Sequence, residues 1–457
     1  GKPLRGKNRS RRKKGRPQKP LRERHGQRPN RSNLKIHHPY LVKDILSYLY
    51  ALRNRGSSFG IERMARLVEL MGNPQSNFPI IHVAGTNGKG SVCAMLDAIY
   101  RENGYRVGLF TSPHLIELGE RIRVNGQNIS EPEIEEWVDY LKPLGKRMER
   151  EKKDDHPTFF EFMTAIAFLK FKKNNVDLAI IETGLGGRLD STNVVNPELS
   201  IITSISKDHC AILGNTLEEI AAEKAGIVKE GRPVLVSELT VEVEQVIRTV
   251  AEKKKAKFYS LKNLGMKKFA DTNLSGSYQK RNAALAWYAS ELLKEKIPVN
   301  EDRVKKGLRN VKIDGRWQIL KGEPRIILDA CHNLEGANCL RENLKSLEVK
   351  PEVWFGVLGE DRARDIIGVV CEFASSIRLF QVEQPRACSI EFLRSLIPRS
   401  FSGEVINFDM KKAQEAMLTS TPGKTILVTG SIYLIGDILS LRRSGDFPSK
   451  VNWNDLF

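Results

Sequence analysis

The run Gly85-Thr86-Asn87-Gly88-Lys89-Gly90-Ser91 lies between two unlike patterns, the apolar β-rich stretch FPIIHVA and the helical stretch VCAMLDAIYRENG. Strand, glycine loop and helix in that order are the setting a phosphate-binding loop needs. Glycines let backbone N–H groups approach phosphate oxygens, the helix start adds its positive end, and Lys89 places a charge on a polyphosphate. Glycine-rich turns are common in α/β proteins, but one carrying Lys and Ser in this setting predicts nucleotide phosphates held by Gly88, Lys89, Gly90 and Ser91. The spacing departs from the usual G-x-x-x-x-G-K-[ST], because Gly90 separates Lys89 from Ser91. That departure points away from ordinary GTPases and kinases.

A chain of 457 residues has room for two or three cores, and 40% hydrophobic with 28% charged residues excludes a wholly disordered or fibrous protein. The formal charge of +19 first suggests a nucleic-acid or anionic-surface binder. Its distribution changes that reading. Residues 1–35 hold fifteen Lys and Arg against one acid, Glu23, leaving +5 on the other 422 residues. Leu4, Leu21 and Leu34 are nearly the only apolar side chains there, so a disordered basic arm is expected, either a solvated tail or a loose RNA contact. It lacks the apolar run of a secretory peptide. The six cysteines are scattered, with no Cys-x-x-Cys pair, and read as reduced. No apolar stretch reaches the roughly 18 residues of a membrane span, so a soluble cytoplasmic protein, acting as a monomer and without a membrane partner, is expected.

Several further segments carry chemistry. VDLAIIETGLGGRLD reads as a buried strand ending in Glu182 and a glycine loop, where an α/β ATPase places a magnesium ligand; a strand-end acid facing water is the plainer alternative. LSIITSISKDHC reads as a strand ending in Asp208-His209, and TLEEIAAEKAGIVKEG as a helix capped by Thr216 with Lys224 on it. SYQKRNAALAWYASELL is helical, and Asn282 near its start would serve equally as a cap. Past a break at residues 311–322, the strands RIILDA, EVWFGVLG, SIRLFQVE and TILVTGS alternate with helical patterns, predicting a smaller Rossmann-like domain. The expected organisation is α/β: the basic arm 1–35, an ATP-binding central domain 36–312 and a Rossmann-like domain 313–457.

GTNGKGS with FTSPHL twenty residues on, followed in order by ERIRVNG, TFFEFMTAIAF, ETGLGGRLDSTN, DHCAILGNTLEEIAAEKAGI, SYQKRNAALA, DGRWQ, LDACHN and TGSIYLIGD, resembles the folylpolyglutamate synthase and dihydrofolate synthase family of the Mur ligase superfamily. The resemblance spans about residues 40–440 and implies a P-loop-type Mur-ligase ATPase domain followed by the smaller domain. It implies ATP and two magnesium ions as cofactors, with Ser112, Glu182, His209 and a carbamylated Lys224 as metal ligands. It further implies that Asn282 contacts adenine, Asp329 the ribose and Arg316 the γ-phosphate, with His332 and Ser431 near the incoming amino acid. For the pterin it suggests Ser58, Phe59, Gly60 and Ile61, the segment Thr158, Phe159, Phe160 and Glu161, and Asp190, although Phe59 and Phe159 would also suit a core. Asp329-Ala330-Cys331-His332-Asn333-Leu334 departs from the family's D-G-A-H-N-P, Tyr278 replaces a common His, and Glu360-Asp361-Arg362 stands for D-K-D.

The activity so implied belongs to folate biosynthesis and one-carbon metabolism: a ligase joins L-glutamate to dihydropteroate or a reduced folate through an acyl phosphate, with Lys89, His209, Lys224 and Arg316 as catalytic groups. Two alternatives remain at this level. One is a Mur-superfamily ligase on another carboxylate, which is expected to lack the SSFG and TFFE segments. The other is an RNA-associated NTPase using the basic arm, whose body would show interleaved basic and aromatic residues.

Overall fold

The computed structural model describes residues 47–49, 51–52, 60–264, 272–420 and 422–444. The arm 1–35 and the candidate residues Ser58 and Phe59 lie outside the described residues.

Two sheets organise the chain. The first comprises β1 (Ile80–Ala84), β2 (Val107–Phe110), β3 (Ile122–Val124), β4 (Gln127–Asn128), β5 (Leu178–Glu182), β6 (Leu199–Ile202), β7 (Val234–Val236) and β8 (Phe258–Ser260). Their spatial order is β4-β3-β2-β5-β1-β6-β7-β8, parallel from β2 to β8, with β3 and β4 an antiparallel edge. Every residue of β1, β5 and β6 is buried, as their unbroken apolar runs require of parallel strands covered on both faces. The helices Lys89–Glu102, Ser277–Leu292 and Glu301–Arg309 cover one face. Glu62–Leu70, Glu131–Glu151 and Phe159–Lys173 cover the other.

The second sheet holds β9 (Gln318–Leu320), β10 (Arg325–Asp329), β11 (Glu352–Phe355), β12 (Ser376–Phe380), β13 (Glu404–Phe408) and β14 (Thr425–Thr429). Its order is β13-β12-β11-β14-β10-β9, parallel except for β9. It has its own two core clusters, and Val311 belongs to the first domain's core whereas Trp317 belongs to the second's.

Some boundaries differ from the sequence reading. The strand before Asp208-His209 ends at Ile202, because the Thr203 and Ser204 side chains turn to the Asn87 carbonyl and the backbone leaves the sheet. Asn282 sits in the second turn of its helix, which starts at Ser277, so it is not a cap. Within the break at 311–322, Gln318–Leu320 pairs with β10 as an edge strand.

The chain leaves β1 toward β2 on one side and later places β6 on the other. Such a reversal of strand order opens a crevice beyond the carboxyl ends, and the second sheet's β10, β14 and β11 end facing it.

Candidate active site

The glycine loop emerges from β1 and feeds the helix Lys89–Glu102 at this crevice. Gly88 has φ +85°, and a Cβ there would lie 2.7 Å from Asn282 Oδ1, so the loop needs both the left-handed backbone and the missing side chain. Lys89 Nζ donates to the carbonyls of Gly85 (2.9 Å) and Thr86 (3.1 Å), which holds the ammonium over its own loop. Ser91, 2% exposed, accepts from Gln279 Nε2 at 3.2 Å, and Gln279 Oε1 accepts from Asn282 Nδ2 at 3.0 Å. One polar chain thus ties the loop to the helix carrying Asn282.

Glu182 ends β5 against this loop, and a Cβ on Gly90 would sit 3.7 Å from its Oε2. Its carboxylate accepts from the Ser112 backbone N–H at 3.2 Å. Burial pushes its pKa up to about 7 against the pull of Lys89 and Arg316. Lys224, on the helix Leu217–Ala225, is 4% exposed and donates to Gly85 O at 2.9 Å. Burial, with Lys89 adding repulsion, lowers its ammonium to about 7. At neutral pH a large share of this lysine is the nucleophilic free amine.

The second domain closes the crevice with Arg316, Asp329, His332 and Ser431, all in the same lined space as the phosphate loop, Ser112, Glu182, His209, Lys224 and Asn282. Asp329 accepts from the Trp317 backbone at 3.1 Å, and burial, opposed first by Arg316, raises it to about 6. Arg316 donates to Ala330 O at 3.3 Å, and His332 Nδ1 bonds the same carbonyl at 2.9 Å. Burial lowers His209 and His332 to about 4 each, so both rings are neutral at pH 7. Between them Asp208 is held well below the carboxylate range despite its burial. At the low pH where Asp208 loses its proton both rings are imidazolium, so His209 first, then Arg362, whose guanidinium is 2.7 Å away, and His332 hold it there.

Not all the expected residues join this cleft. Thr158 and Glu161 form a reciprocal capping box at the start of the helix Phe159–Lys173, and Glu161 also accepts from Arg63 at 2.7 Å. Phe159 is buried in the core. Phe160 comes closer, since its ring packs where a Cβ on Gly184 would reach within 2.5 Å, and Gly184 lines the cleft. Asp190 accepts from Leu185 N at 2.8 Å and Thr192 N at 2.9 Å, supporting the cleft's glycine loop from behind. Gly60 and Ile61 are half-buried and do not line the cleft.

Sequence reasoning missed the contact that joins the domains. Glu335 Oε2 accepts from Asn87 Nδ2 (2.6 Å), Ser204 Oγ (3.1 Å) and Ser206 Oγ (2.8 Å), while Asn333 Nδ2 donates to Asn87 Oδ1 and Asp208 Oδ2, both at 3.1 Å. Glu335 lies in the first turn of the helix Leu334–Lys345, which Asn333 caps, and Asn87, Ser204 and Ser206 are in loops of the other domain, so only the tertiary fold pairs them.

The oxygen donors suit a hard divalent cation: the buried Glu182 carboxylate, backed by one N–H, stands beside the Ser112 loop and the phosphate loop. Lys224 as an amine is the wrong donor, and as a carbamate it is the right one. Among the described residues no group of three or more His, Cys, Asp or Glu is close enough to hold a metal unaided. Substrate phosphate would have to supply ligands.

Residues 83–300 match the Mur ligase middle domain family. Dihydrofolate synthase/folylpolyglutamate synthase of Bacillus subtilis is 38% identical over 429 residues, covering 87% of this chain and 98% of that protein. The folylpolyglutamate synthase of Thermotoga maritima superposes with a TM-score of 0.79 at 32% identity, over 90% of this chain and 99% of that one. Escherichia coli FolC in complex with DHPP and ADP does so at 0.75 and 29%, over 88% and 98%.

Proposed function

The chain belongs to the dihydrofolate synthase/folylpolyglutamate synthase family, and on that premise we propose that it joins L-glutamate to the carboxylate of dihydropteroate or of a folate (poly)glutamate at the expense of ATP. The observation that carries this is the meeting of Lys89 and Glu182 from one domain with Arg316, His332 and Ser431 from the other in one cleft.

An acceptor carboxylate and ATP repel each other. Lys89 and Arg316 offset the phosphate charge, and Arg316 keeps its charge as the phosphoryl group moves. An acceptor carboxylate oxygen bonds to the γ-phosphorus as the bond to the ADP oxygen breaks. The glutamate nitrogen then bonds to the acyl carbon, phosphate departs with its electron pair, and the nitrogen loses a proton. Positioning and charge stabilisation suffice, so no covalent enzyme intermediate is needed. A bound divalent metal would supply further neutralisation of phosphate oxygens. Glu182, Ser112 and the neutral ring of His209 would hold one such ion, and a carbamylated Lys224 would hold a second.

Asn282 is assigned to adenine, Asp329 to the ribose, and His332 and Ser431 to the incoming glutamate. The pterin is assigned to the side of the cleft walled by Gly184 and backed by Phe160 and Asp190. Action as a monomer belongs to the same proposal and is supported by a cleft completed within one chain. So does a cytoplasmic location. Among the described residues no helix is long and apolar enough to cross a membrane.

The test is phosphate release by purified protein with ATP, magnesium, glutamate and either dihydropteroate or tetrahydrofolate. Release is expected only when acceptor and glutamate are both present. Acceptor-independent turnover stimulated by RNA would overturn the reading.

A further inference from the structure

Tyr278 stands in the first turn of the helix Ser277–Leu292, where the family commonly carries His, and nothing in the assignment of ATP, pterin and glutamate uses it. It lines the cleft, half-buried, and its hydroxyl lies 3.5 Å from Asp329 Oδ2. The helix belongs to the first domain and Asp329 ends β10 in the second, so this contact crosses the interface at the carboxylate assigned to the ribose.

The ring has little freedom. Gly276, with φ +108°, sits two residues before it, and a Cβ there would come within 3.0 Å of Tyr278 Cε1 and 3.3 Å of Asn343 Nδ2 on the second domain's helix Leu334–Lys345. Burial first, and the Asp329 charge second, push the phenol pKa far above its ordinary value, so the hydroxyl keeps its proton to donate. The Trp317 N–H also donates to Oδ2 at 3.1 Å, and the Cys331 N–H supports the charged carboxylate. Of the about four lone-pair sites on a carboxylate, these donors leave one for a sugar hydroxyl. The same helix carries Gln279, which donates to Ser91 of the phosphate loop, and Asn282, assigned to adenine. One helix thus holds base, phosphate loop and ribose carboxylate in register.

We propose that Tyr278 is a positioning residue for the nucleotide sugar: its hydroxyl, donated across the interface, fixes the Asp329 carboxylate against a ribose hydroxyl. The second domain then closes most tightly on a complete ribose, and the enzyme prefers ATP to its deoxy forms. The proposal rests on the ligase reading and its assignment of Asp329 to the ribose.

Ligase assays with ATP, 2′-deoxy-ATP and 3′-deoxy-ATP test it in the wild type, Tyr278→Phe and Asp329→Asn. The readout is the ratio of KM for a deoxynucleotide to KM for ATP. Phe keeps every carbon of the ring, so the packing against Gly276 is retained. For the deoxynucleotide lacking the bonded hydroxyl, the wild type is expected to show a ratio of about ten. Tyr278→Phe should lower that ratio about threefold through a raised KM for ATP, with KM for glutamate unchanged, since a 3.5 Å contact puts the loss at the small end for a hydrogen bond. Calorimetric binding of ADP and its deoxy forms gives the same ratio for any variant without turnover. A ratio unchanged in Tyr278→Phe, whether every KM rises equally or none moves, overturns the proposal. If Asp329→Asn nonetheless abolishes the preference, the ribose assignment stands and the role of Tyr278 alone falls. A wild type that uses all three nucleotides equally overturns the ribose assignment, and one without glutamate-dependent turnover overturns the ligase reading; the proposal falls with either.

Discussion

Replacing Glu182 by Gln is expected to make the ligand-free protein more stable and catalytically dead. Burial raises the folded-state pKa of Glu182 from 4.5 to about 7, against the opposing pull of Lys89, the Ser112 N–H, Arg316 and Arg121. The folded state therefore binds more protons than the unfolded state between those two values, and stability falls as pH rises through that window. The cost of ionising Glu182 is absent below 4.5 and complete above 7. At about 1.4 kcal/mol per pKa unit it amounts to roughly 3 kcal/mol. Gln keeps the shape and can still accept from Ser112, but loses the charge assistance of that bond, so the net gain is about 2 kcal/mol. For a domain of this size that is a rise in Tm of roughly 4–8 °C. Thermal unfolding should show this difference at pH 8, shrinking as pH falls toward 5, where the wild-type carboxyl is already protonated. Magnesium with ATP should stabilise the wild type more than the variant, because the metal site has lost its anion while the phosphate loop is unchanged. A variant less stable than wild type at pH 8, or a gain of equal size at pH 5, would refute the reasoning.

Four other outcomes follow from the same geometry. Gly88→Ala should raise KM for ATP about tenfold or more with little change in KM for glutamate, since its Cβ meets Asn282 and its φ of +85° is strained for Ala; unchanged KM for ATP contradicts the loop assignment. Glu335→Ala removes the acceptor of three interdomain bonds and should lower kcat/KM about tenfold, with a larger radius of gyration in scattering; a compact, fully active variant speaks against that contact. Activity should rise with pH across about 6–8, because Glu182 and Lys224, both near 7, are needed without their protons, whereas His209 and His332, near 4, have already lost theirs. Bicarbonate should restore activity to enzyme dialysed free of carbon dioxide, and Lys224→Ala should not respond.

The parts of the site that were legible in sequence share one property: the chemistry is written into a contiguous run. Glycine spacing before Lys89, the strand-end Glu182 and the helix bearing Lys224 are local patterns, and the fold brings them together because parallel strands deliver all their carboxyl ends to one edge. Lys224 shows where such reading stops, since its burial and the resulting pKa depend on packing against Gly85, far off in sequence. The domain contact through Asn87, Glu335 and Ser204 was invisible for the same reason. The segment from Thr158 to Glu161 supports two readings at once. Its residues match a pterin-associated run, yet T-x-x-E before an apolar stretch is also a capping box, and that is what Thr158 and Glu161 form. Strands β9 and β13 escaped notice because they are short, partly exposed edges without a clear apolar alternation.

The central claim is that the acceptor carboxylate takes the γ-phosphoryl group before the amide forms. Labelling that carboxylate with heavy oxygen and measuring the released phosphate by mass spectrometry tests it directly. One labelled oxygen should appear in phosphate for each amide formed, and only when glutamate is present. Phosphate free of label, with amide still formed, would contradict the account.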